Sequence, residues 1–177
     1  RVKRKLISNL RVIKLFSNWP LYYFDLFQLL NNRTLVYKAR NGLKFKIRSN
    51  KEDFRIINSI LNAEVYHKLL KCIKNNSIVI DIGAHIGIFS VLAAKLANNV
   101  RVYSYEPFVG NYNLLRENIG LNGMKDKIIP VKEGICGKRC KRSLFICEEN
   151  LAWPSMFDKP AKAKKTNIEC ITLKDVF

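Results

Sequence analysis

Short apolar runs alternate with helical patterns between residues 77 and 131 of the chain. Residues 77–82 (SIVIDI) are rich in β-branched side chains between polar ends, which is typical of a strand buried on both faces. Similar runs at 100–105 and 127–131 predict two more strands, and residues 88–97 and 111–121 predict the helices between them. Strands and helices that alternate at this spacing predict a parallel sheet with helical crossovers.

A β-hairpin is predicted ahead of this sheet. Apolar and polar residues alternate at 35–40 and again at 43–48, and Asn41 and Gly42 stand between the two runs. An Asn-Gly pair is a strong hairpin signal, because both residues tolerate the positive φ angles of a tight turn. The residues that follow the hairpin, through Lys74, are predicted to be helical.

The chain divides into three predicted regions. Residues 1–33 form a basic, aromatic and helical segment, and residues 34–76 hold the hairpin and the helices that lead into the core. Residues 77–177 are predicted to form an incomplete Rossmann-like domain, with further strands at 143–147 and 167–173. The predicted fold class is therefore α/β, a Rossmann-like parallel sheet with flanking helices, preceded by an N-terminal helical segment and a β-hairpin.

The net charge of the chain is strongly positive. Lys and Arg number 32 against 14 for Asp and Glu, which gives a formal net charge of +18. Such a surplus favours contact with nucleic acid, an anionic membrane surface or a phosphorylated substrate, although solvated loops and helix faces explain it equally well. Residues 1–30, which are basic and aromatic, are a candidate for peripheral membrane contact, with packing on the domain as the alternative.

The composition is typical of a soluble globular protein. Apolar residues make up 48% and charged residues 26% of the chain. No apolar run approaches the roughly 20 residues that a membrane-spanning helix needs. The five cysteines are loosely spaced, which favours a reducing compartment, and the expected location is cytoplasmic. Cys136 and Cys140 have no second pair that would complete a zinc site, so no metal is expected.

The densest chemical signal is the turn after the first predicted strand, residues 81–87 (DIGAHIG). Glycine there lets the backbone turn sharply and lets a ligand approach closely. The turn lies at the carboxyl end of a strand, where open α/β sheets bind ligands. Glu106 ends the second predicted strand, and a carboxylate at this place is suited to accept both hydroxyls of a ribose.

The spacing of the glycines discriminates between nucleotide cofactors. A dinucleotide fingerprint has three glycines, G-x-G-x-x-G, whereas this turn has only Gly83 and Gly87. The middle glycine that makes room for a pyrophosphate is missing, and no P-loop is present. The pattern favours a cofactor with an adenosine, no phosphate and an amino-acid end, whose ammonium group Asp81 is placed to bind.

Four segments of the chain resemble the FkbM family of S-adenosylmethionine-dependent methyltransferases. They are residues 79–87 (VIDIGAHIG), 103–107 (YSYEP), 111–123 (NYNLLRENIGLNG) and 171–176 (ITLKDV). The resemblance extends over about residues 42–177. It implies a Rossmann-like fold and methyl transfer to a hydroxyl of a sugar, lipid or other small acceptor, so the expected partner is a small molecule or a carbohydrate.

The resemblance also implies which residues bind S-adenosylmethionine. Those expected at its methionine end are Asp81, Gly83, Ala84, His85 and Gly87. Glu106 is expected to hold the ribose, with Pro107 and Phe108 beside the adenine. The catalytic base stays unknown. His85 is a candidate for it, although the family carries Asn as commonly as His at this position and Asn cannot accept the proton.

Two other functions stay open. The net charge favours a methyltransferase that acts on RNA or protein, although the chain lacks the Asn/Asp-Pro-Pro-Tyr/Phe motif expected for methylation of base nitrogens. A non-catalytic module that binds the cofactor is the other alternative. FkbM proteins continue into a further strand with acidic residues, whereas this sequence stops at Phe177, so a truncated form is expected.

Overall fold

The computed structural model of the chain describes residues 12–30, 33–49, 52–62, 64–147, 150–156 and 163–177. Residues 1–11, the first part of the predicted basic helical segment 1–33, lie outside this part. The helices are α1 (Pro20–Leu26), α2 (Asp53–Asn62), α3 (Glu64–Lys71), α4 (Ile88–Leu96) and α5 (Val109–Leu121). The strands are β1 (Thr34–Lys38), β2 (Lys44–Arg48), β3 (Ile78–Ile82), β4 (Arg101–Tyr105), β5 (Ile128–Val131), β6 (Gly134–Ile135), β7 (Cys140–Cys147), β8 (Asn150–Ser155) and β9 (Lys164–Ile171).

The predicted hairpin is confirmed, but its turn is of another type. β1 and β2 pair antiparallel over their whole length. The N–H of Ala39 donates to the carbonyl of Leu43 at 2.8 Å, so the loop between them has three residues. Of these only Gly42 has a positive φ, +87°, whereas a two-residue turn would need a positive φ at Asn41 as well. The observed loop has three residues, and only its last, Gly42, takes the left-handed backbone conformation.

The residues just before α1 pack along the hairpin. The N–H of Ser17 donates to the carbonyl of Lys38 at 2.8 Å, and the Asn18 side chain bonds to the backbone of the same strand. Phe16 is fully buried and packs edge-on against Tyr37, with the ring centroids 5.2 Å apart. Contact of residues 1–30 with a membrane stays a prediction. More than half of each of four large apolar side chains in and after α1 is exposed: Phe24, Leu26, Phe27 and Leu29.

The central sheet confirms the predicted α/β class. β3, β4 and β5 lie side by side in that order and are parallel. α4 joins the first pair and α5 the second, at the positions predicted to within two residues. α4 is apolar on nearly all sides, and Val91, Ala93 and Ala94 are fully buried. The carboxyl ends of β3 and β4 therefore meet at one edge of the sheet, next to the start of α4.

A second sheet follows the central one, with strand order β6-β9-β7-β8. β9 pairs parallel with β6 and antiparallel with β7. The strands predicted at 143–147 and 167–173 overlap β7 and β9, which begin earlier in the chain than expected. β6 starts three residues after β5 ends, which places this sheet beside the carboxyl edge of the parallel strands. Among the described residues, no helix is both long enough and apolar enough to cross a membrane.

Candidate functional site

Two adjoining cavities lie at the carboxyl end of β3. The smaller has a volume of about 320 Å³, and its walls come from the loop after β3, the end of β4, and β6 and β7. The larger, about 1020 Å³, runs along β3 opposite α2 and α3. Ile82, Gly83 and His85 line both cavities. Both volumes are typical of small-molecule sites, which span about 300–1,000 Å³.

The backbone of the turn after β3 is held against β4. The N–H groups of Gly83 and Ala84 both donate to the carbonyl of Tyr105 at 2.9 Å. Gly83 has φ +76°, a left-handed conformation that favours glycine, and nothing lies within 4 Å of the position that a Cβ would take. Hydrogen bonds therefore fix the backbone of the turn, and the space next to the Gly83 Cα, in the cavities, stays open to a ligand.

Glu106 follows β4 directly and is 5% exposed. Its Oε2 accepts the backbone N–H of His85 at 2.9 Å, and its Oε1 accepts that of Phe108 at 2.9 Å. Burial raises the pKa of Glu106, and the hydrogen bonds from Phe108 and His85 act in the opposite direction. An ionised carboxylate has about four acceptor positions, and the side chain of Asn111 takes a third. At least one acceptor position therefore stays available to a ligand in the smaller cavity.

A buried ion pair between Arg48 and Asp53 contacts His85. The Arg48 guanidinium donates to Asp53 through Nε at 2.8 Å and through Nη2 at 2.6 Å. Asp53 is fully buried. Burial by itself raises the pKa of Asp53, but the hydrogen bonds from His85 and Arg48 outweigh it and hold that pKa at about 2. Asp53 is thus a carboxylate at neutral pH.

The same network determines the tautomer of His85. Arg48 Nη2 carries two hydrogens, and they are used by Asp53 Oδ1 at 2.6 Å and by Asn111 Oδ1 at 2.9 Å. His85 Nε2 lies 3.3 Å from Nη2 and 3.4 Å from Asp53 Oδ1, so it is the donor in the contact with Asp53. In the neutral ring Nδ1 is then an acceptor, and it is buried without a hydrogen-bond partner among the described residues. His85 also has φ +52°, a strained backbone conformation of the kind that occurs at ligand sites.

Four of the predicted cofactor residues line the smaller cavity. They are Gly83, His85, Glu106 and Pro107. Asp81 and Ala84 line the larger cavity instead. The Asp81 carboxylate accepts the Ser90 hydroxyl of α4 at 2.5 Å, and burial raises its pKa. Asp81 is therefore directed partly toward α4, and its contact with a cofactor ammonium stays a prediction.

The other two predicted residues, Gly87 and Phe108, line neither cavity. Gly87 begins α4 with φ +83° and packs against Leu115 of α5. Phe108 precedes α5, and its ring covers Gly110. Their contacts with a cofactor stay predictions, whereas the structure shows what each does for helix packing.

The sequence pattern did not indicate Arg48, Asp53 and Asn111 as site residues. Arg48 ends the alternating run of β2, where a charged residue indicates only an exposed position. Asp53 opens α2, where a carboxylate is typical of the first turn of a helix. Nothing in the local pattern shows that the two side chains are buried together. Among the described residues, no group of three or more His, Cys, Asp or Glu side chains could hold a metal ion.

The sequence matches a known family of methyltransferase domains. The model of the TRM5/TYW2 methyltransferase domain matches residues 36–138, more than half of the chain. No curated protein sequence gives a significant match. The expected FkbM family is therefore wrong, and so is the small-molecule or carbohydrate acceptor that rested on it. The predicted class, a methyltransferase domain with S-adenosylmethionine as its cofactor, is confirmed.

Several solved structures are similar to this chain. A protein of Pyrococcus horikoshii described as a transferase is 22% identical, with a TM-score of 0.50 over 66% of this chain and 47% of its own. The tRNA m1G37 methyltransferase of M. jannaschii is 22% identical, with a TM-score of 0.41 over 60% of this chain and 36% of its own. TYW2 of M. jannaschii, solved with AdoMet, is 22% identical, with a TM-score of 0.41 over 67% of this chain and 54% of its own. The first likeness supports the fold, and this chain spans between about a third and about a half of the length of these proteins.

Proposed function

We propose that this chain, which belongs to the TRM5/TYW2 methyltransferase domain family, transfers a methyl group from S-adenosylmethionine to tRNA. The family match over residues 36–138 is the observation that carries the proposal. The similar M. jannaschii enzyme is a tRNA methyltransferase, which supports the same acceptor. The net charge of +18 favours a polyanionic partner and fits RNA better than a neutral sugar or lipid.

The smaller cavity is the proposed site of the adenosine end of the cofactor. The residues around it fit such a group, since they combine a buried carboxylate, open space at Gly83 and an unpartnered acceptor at His85. Glu106 is proposed to accept a hydroxyl of the ribose with its remaining acceptor position. Pro107 follows it in the cavity wall and is proposed to lie beside the adenine.

The larger cavity is the proposed place of the methionine end and of the acceptor nucleotide. S-adenosylmethionine, when bound, supplies an electrophilic methyl group on a good leaving group. The protein then has to align the acceptor atom and exclude water. His85 lines both cavities and is held by Asp53. Ligand binding is proposed to uncover its buried, unpartnered Nδ1, which then accepts a hydrogen bond from the ligand or a proton from the acceptor.

Replacing Glu106 with Gln is expected to weaken binding of S-adenosylmethionine by about 10- to 100-fold. The amide loses the charge-assisted hydrogen bond to the ribose, and such bonds contribute about 1.5–3 kcal/mol. Isothermal titration of wild type and E106Q with S-adenosylmethionine and with NAD measures the effect. Circular dichroism first establishes that E106Q is folded, because this side chain also accepts two backbone N–H groups.

Glu169→Gln is the matched control, since its carboxylate lies on β9 with a side chain 60% exposed. E169Q is expected to bind S-adenosylmethionine with the affinity of the wild type. NAD is not expected to bind to the wild type, E106Q or E169Q. Equal affinities in E106Q and the wild type would contradict the assignment of Glu106. Binding of NAD as tight as that of S-adenosylmethionine would contradict the class of cofactor.

The affinity for tRNA is expected to fall steeply with salt. Each phosphate that the protein neutralises contributes roughly 0.7–0.9 to the slope of log K against log salt. Three such contacts predict a loss of about 30-fold in affinity between 50 and 200 mM NaCl. Fluorescence anisotropy with an unmodified tRNA transcript measures it, with tritium transfer from labelled S-adenosylmethionine as the test of chemistry. Methyl transfer to a protein but not to tRNA, or a tRNA affinity that is flat with salt, would overturn the proposed acceptor.

A further inference from the structure

Three cysteines from neighbouring strands meet on the second sheet. Cys136 directly follows β6, and its N–H donates to the carbonyl of Ile171 at 2.9 Å. Cys140 begins β7 and lies opposite Cys170 of β9 in the antiparallel pairing. The sulfur atoms of Cys136 and Cys140 are 3.7 Å apart, in van der Waals contact. The proposed methyl transfer makes no use of these thiols.

We propose that Cys136 and Cys140 form a redox site, at which a hydroperoxide converts the two thiols into a disulfide. A disulfide has an S–S length of about 2.05 Å, so a movement of less than about 2 Å closes the bond. Only three residues separate the two cysteines, and the Gly137 between them has no atom within 4 Å of the position of a Cβ. Both thiols are partly exposed, so the oxidant has access to them.

The charges around the pair favour a reactive thiolate on Cys136. Burial acts to raise the pKa of Cys136, and its thiol donates to the Lys138 carbonyl at 3.1 Å, which also favours the protonated form. Hydrogen bonds with Cys170, Cys140 and Arg142 act in the opposite direction, and the pKa lies below its ordinary value. The Arg142 guanidinium contacts both Cys136 and Cys140. Positive charge beside a cysteine stabilises the thiolate, which is the form that attacks a peroxide.

The reaction balances with hydrogen peroxide as the oxidant. The Cys136 thiolate attacks one oxygen, the O–O bond breaks, and the departing hydroxide takes up a proton as water. Cys136 is then a sulfenic acid. The Cys140 sulfur displaces the sulfenic oxygen, which leaves as a second water, and the S–S bond forms. Two thiols are oxidised by two electrons and one peroxide is reduced to two waters.

Cys170 competes with Cys140 as the disulfide partner of Cys136. It is 1% exposed. Burial and, to a smaller extent, hydrogen bonding to Cys136 together raise the pKa of Cys170 to about 11. Cys170 therefore stays a thiol at neutral pH and is shielded from the oxidant. Its Sγ lies 3.1 Å from the position of a Cβ on Gly134, which lines the smaller cavity, so Cys170 separates the proposed redox pair from the cavity wall at Gly134.

The test is peroxide oxidation followed by mass spectrometry of the whole chain and of its tryptic peptides. Trypsin cleaves after Lys138 and Arg139, between the two cysteines, so a disulfide joins two peptides and is mapped directly. Oxidation of the wild type is expected to remove two hydrogens, to link Cys136 to Cys140, and to be reversed by dithiothreitol. In C140S the sulfenic acid on Cys136 is expected to persist and to react with dimedone.

Cys72 supplies the matched control, because it is exposed and stands apart from the cluster. C72S is expected to form the disulfide at the wild-type rate, and Cys136 is expected to react with peroxide at least about 10-fold faster than Cys72. A mapped disulfide that contains Cys170 or Cys72 would overturn the proposal. So would reaction of Cys136 no faster than Cys72, or preferential dimedone labelling of Cys140 in C136S over Cys136 in C140S.

Discussion

Replacing Asp53 with Ala is expected to lower the free energy of unfolding by about 3–5 kcal/mol. The substitution leaves the Arg48 guanidinium without its carboxylate partner, although only 15% of the Arg48 side chain is exposed. His85 loses the acceptor of its Nε2–H as well. An uncompensated buried charge costs far more than the intact pair contributes. Urea unfolding of wild type and D53A, followed by circular dichroism, measures the difference.

The exposed pair Lys141–Glu169 is the matched control for the Asp53 prediction. Its side chains are 76% and 60% exposed, so E169A is expected to cost about 0.5 kcal/mol or less. The double variant R48M/D53L is expected to recover part of the loss in D53A, because it removes both buried charges together. A D53A variant no less stable than E169A would contradict the buried network.

The same pair predicts how stability depends on pH. The pKa of Asp53 is held at about 2 in the folded chain, below the ordinary value of 3.8. A lowered folded-state pKa contributes stability that is fully present above about pH 4 and is lost as the pH falls toward about 2. D53N is expected to lack this contribution, so the wild type and D53N should converge in stability as the pH falls through that window.

Replacing Gly87 with Ala is expected to lower the free energy of unfolding by about 2–4 kcal/mol. A Cβ on Gly87 would overlap Leu115 Cδ1, and the φ of +83° is strained for any residue with a Cβ. The collision lies between the start of α4 and the middle of α5, and the Leu115 side chain is fully buried in a close-packed core, so its Cδ1 moves aside only at a cost. Urea unfolding of G87A against the wild type measures the loss.

Gly123→Ala separates the two causes of this loss. Gly123 has φ +64°, but nothing lies within 4 Å of its Cβ position, so G123A carries the backbone strain without the collision. We expect it to cost about 1 kcal/mol. Equal losses in G87A and G123A would show that Leu115 yields without cost and that Gly87 is needed only for its backbone conformation.

The distinction matters for the interpretation of the glycine motif. The resemblance to the FkbM family assigned Gly83 and Gly87 to the cofactor on equal terms. The structure places Gly83 at the open cavity and Gly87 against Leu115. Both have a positive φ, so the motif reports the shape of the turn. Which glycine faces a ligand depends on how α5 packs, and residues 81–87 do not contain that information.

The local nature of the motif also explains why the FkbM family was expected and is wrong. The turn at 81–87 and Glu106 are the predicted local part of an S-adenosylmethionine site, and different methyltransferases share that pattern. It therefore predicted the cofactor and the class of domain, which are confirmed. Methyltransferases with different acceptors share this local pattern, so the motif carried no information about the acceptor. The surplus of Lys and Arg was the feature that pointed toward RNA.

The sequence by itself determined the elements whose periodicity is local. The alternation around Asn41-Gly42 predicted the hairpin, and the apolar runs from residue 77 predicted the parallel strands with their crossover helices. These patterns predict structure because the face of a strand or helix on which a side chain lies depends only on its spacing from neighbouring residues in the chain. The position of Glu106 beside the turn follows from the same topology, since parallel strands end at one edge.

Only the tertiary structure decided how the site is supported. Arg48 comes from the hairpin, Asp53 from α2, His85 from the turn and Asn111 from α5. Residues that lie up to 63 positions apart in the chain meet there, and each is an ordinary polar residue in its own segment. Their burial, the proton on His85 and the lowered pKa of Asp53 arise from desolvation and from mutual hydrogen bonds. Those forces exist only once distant elements have packed together.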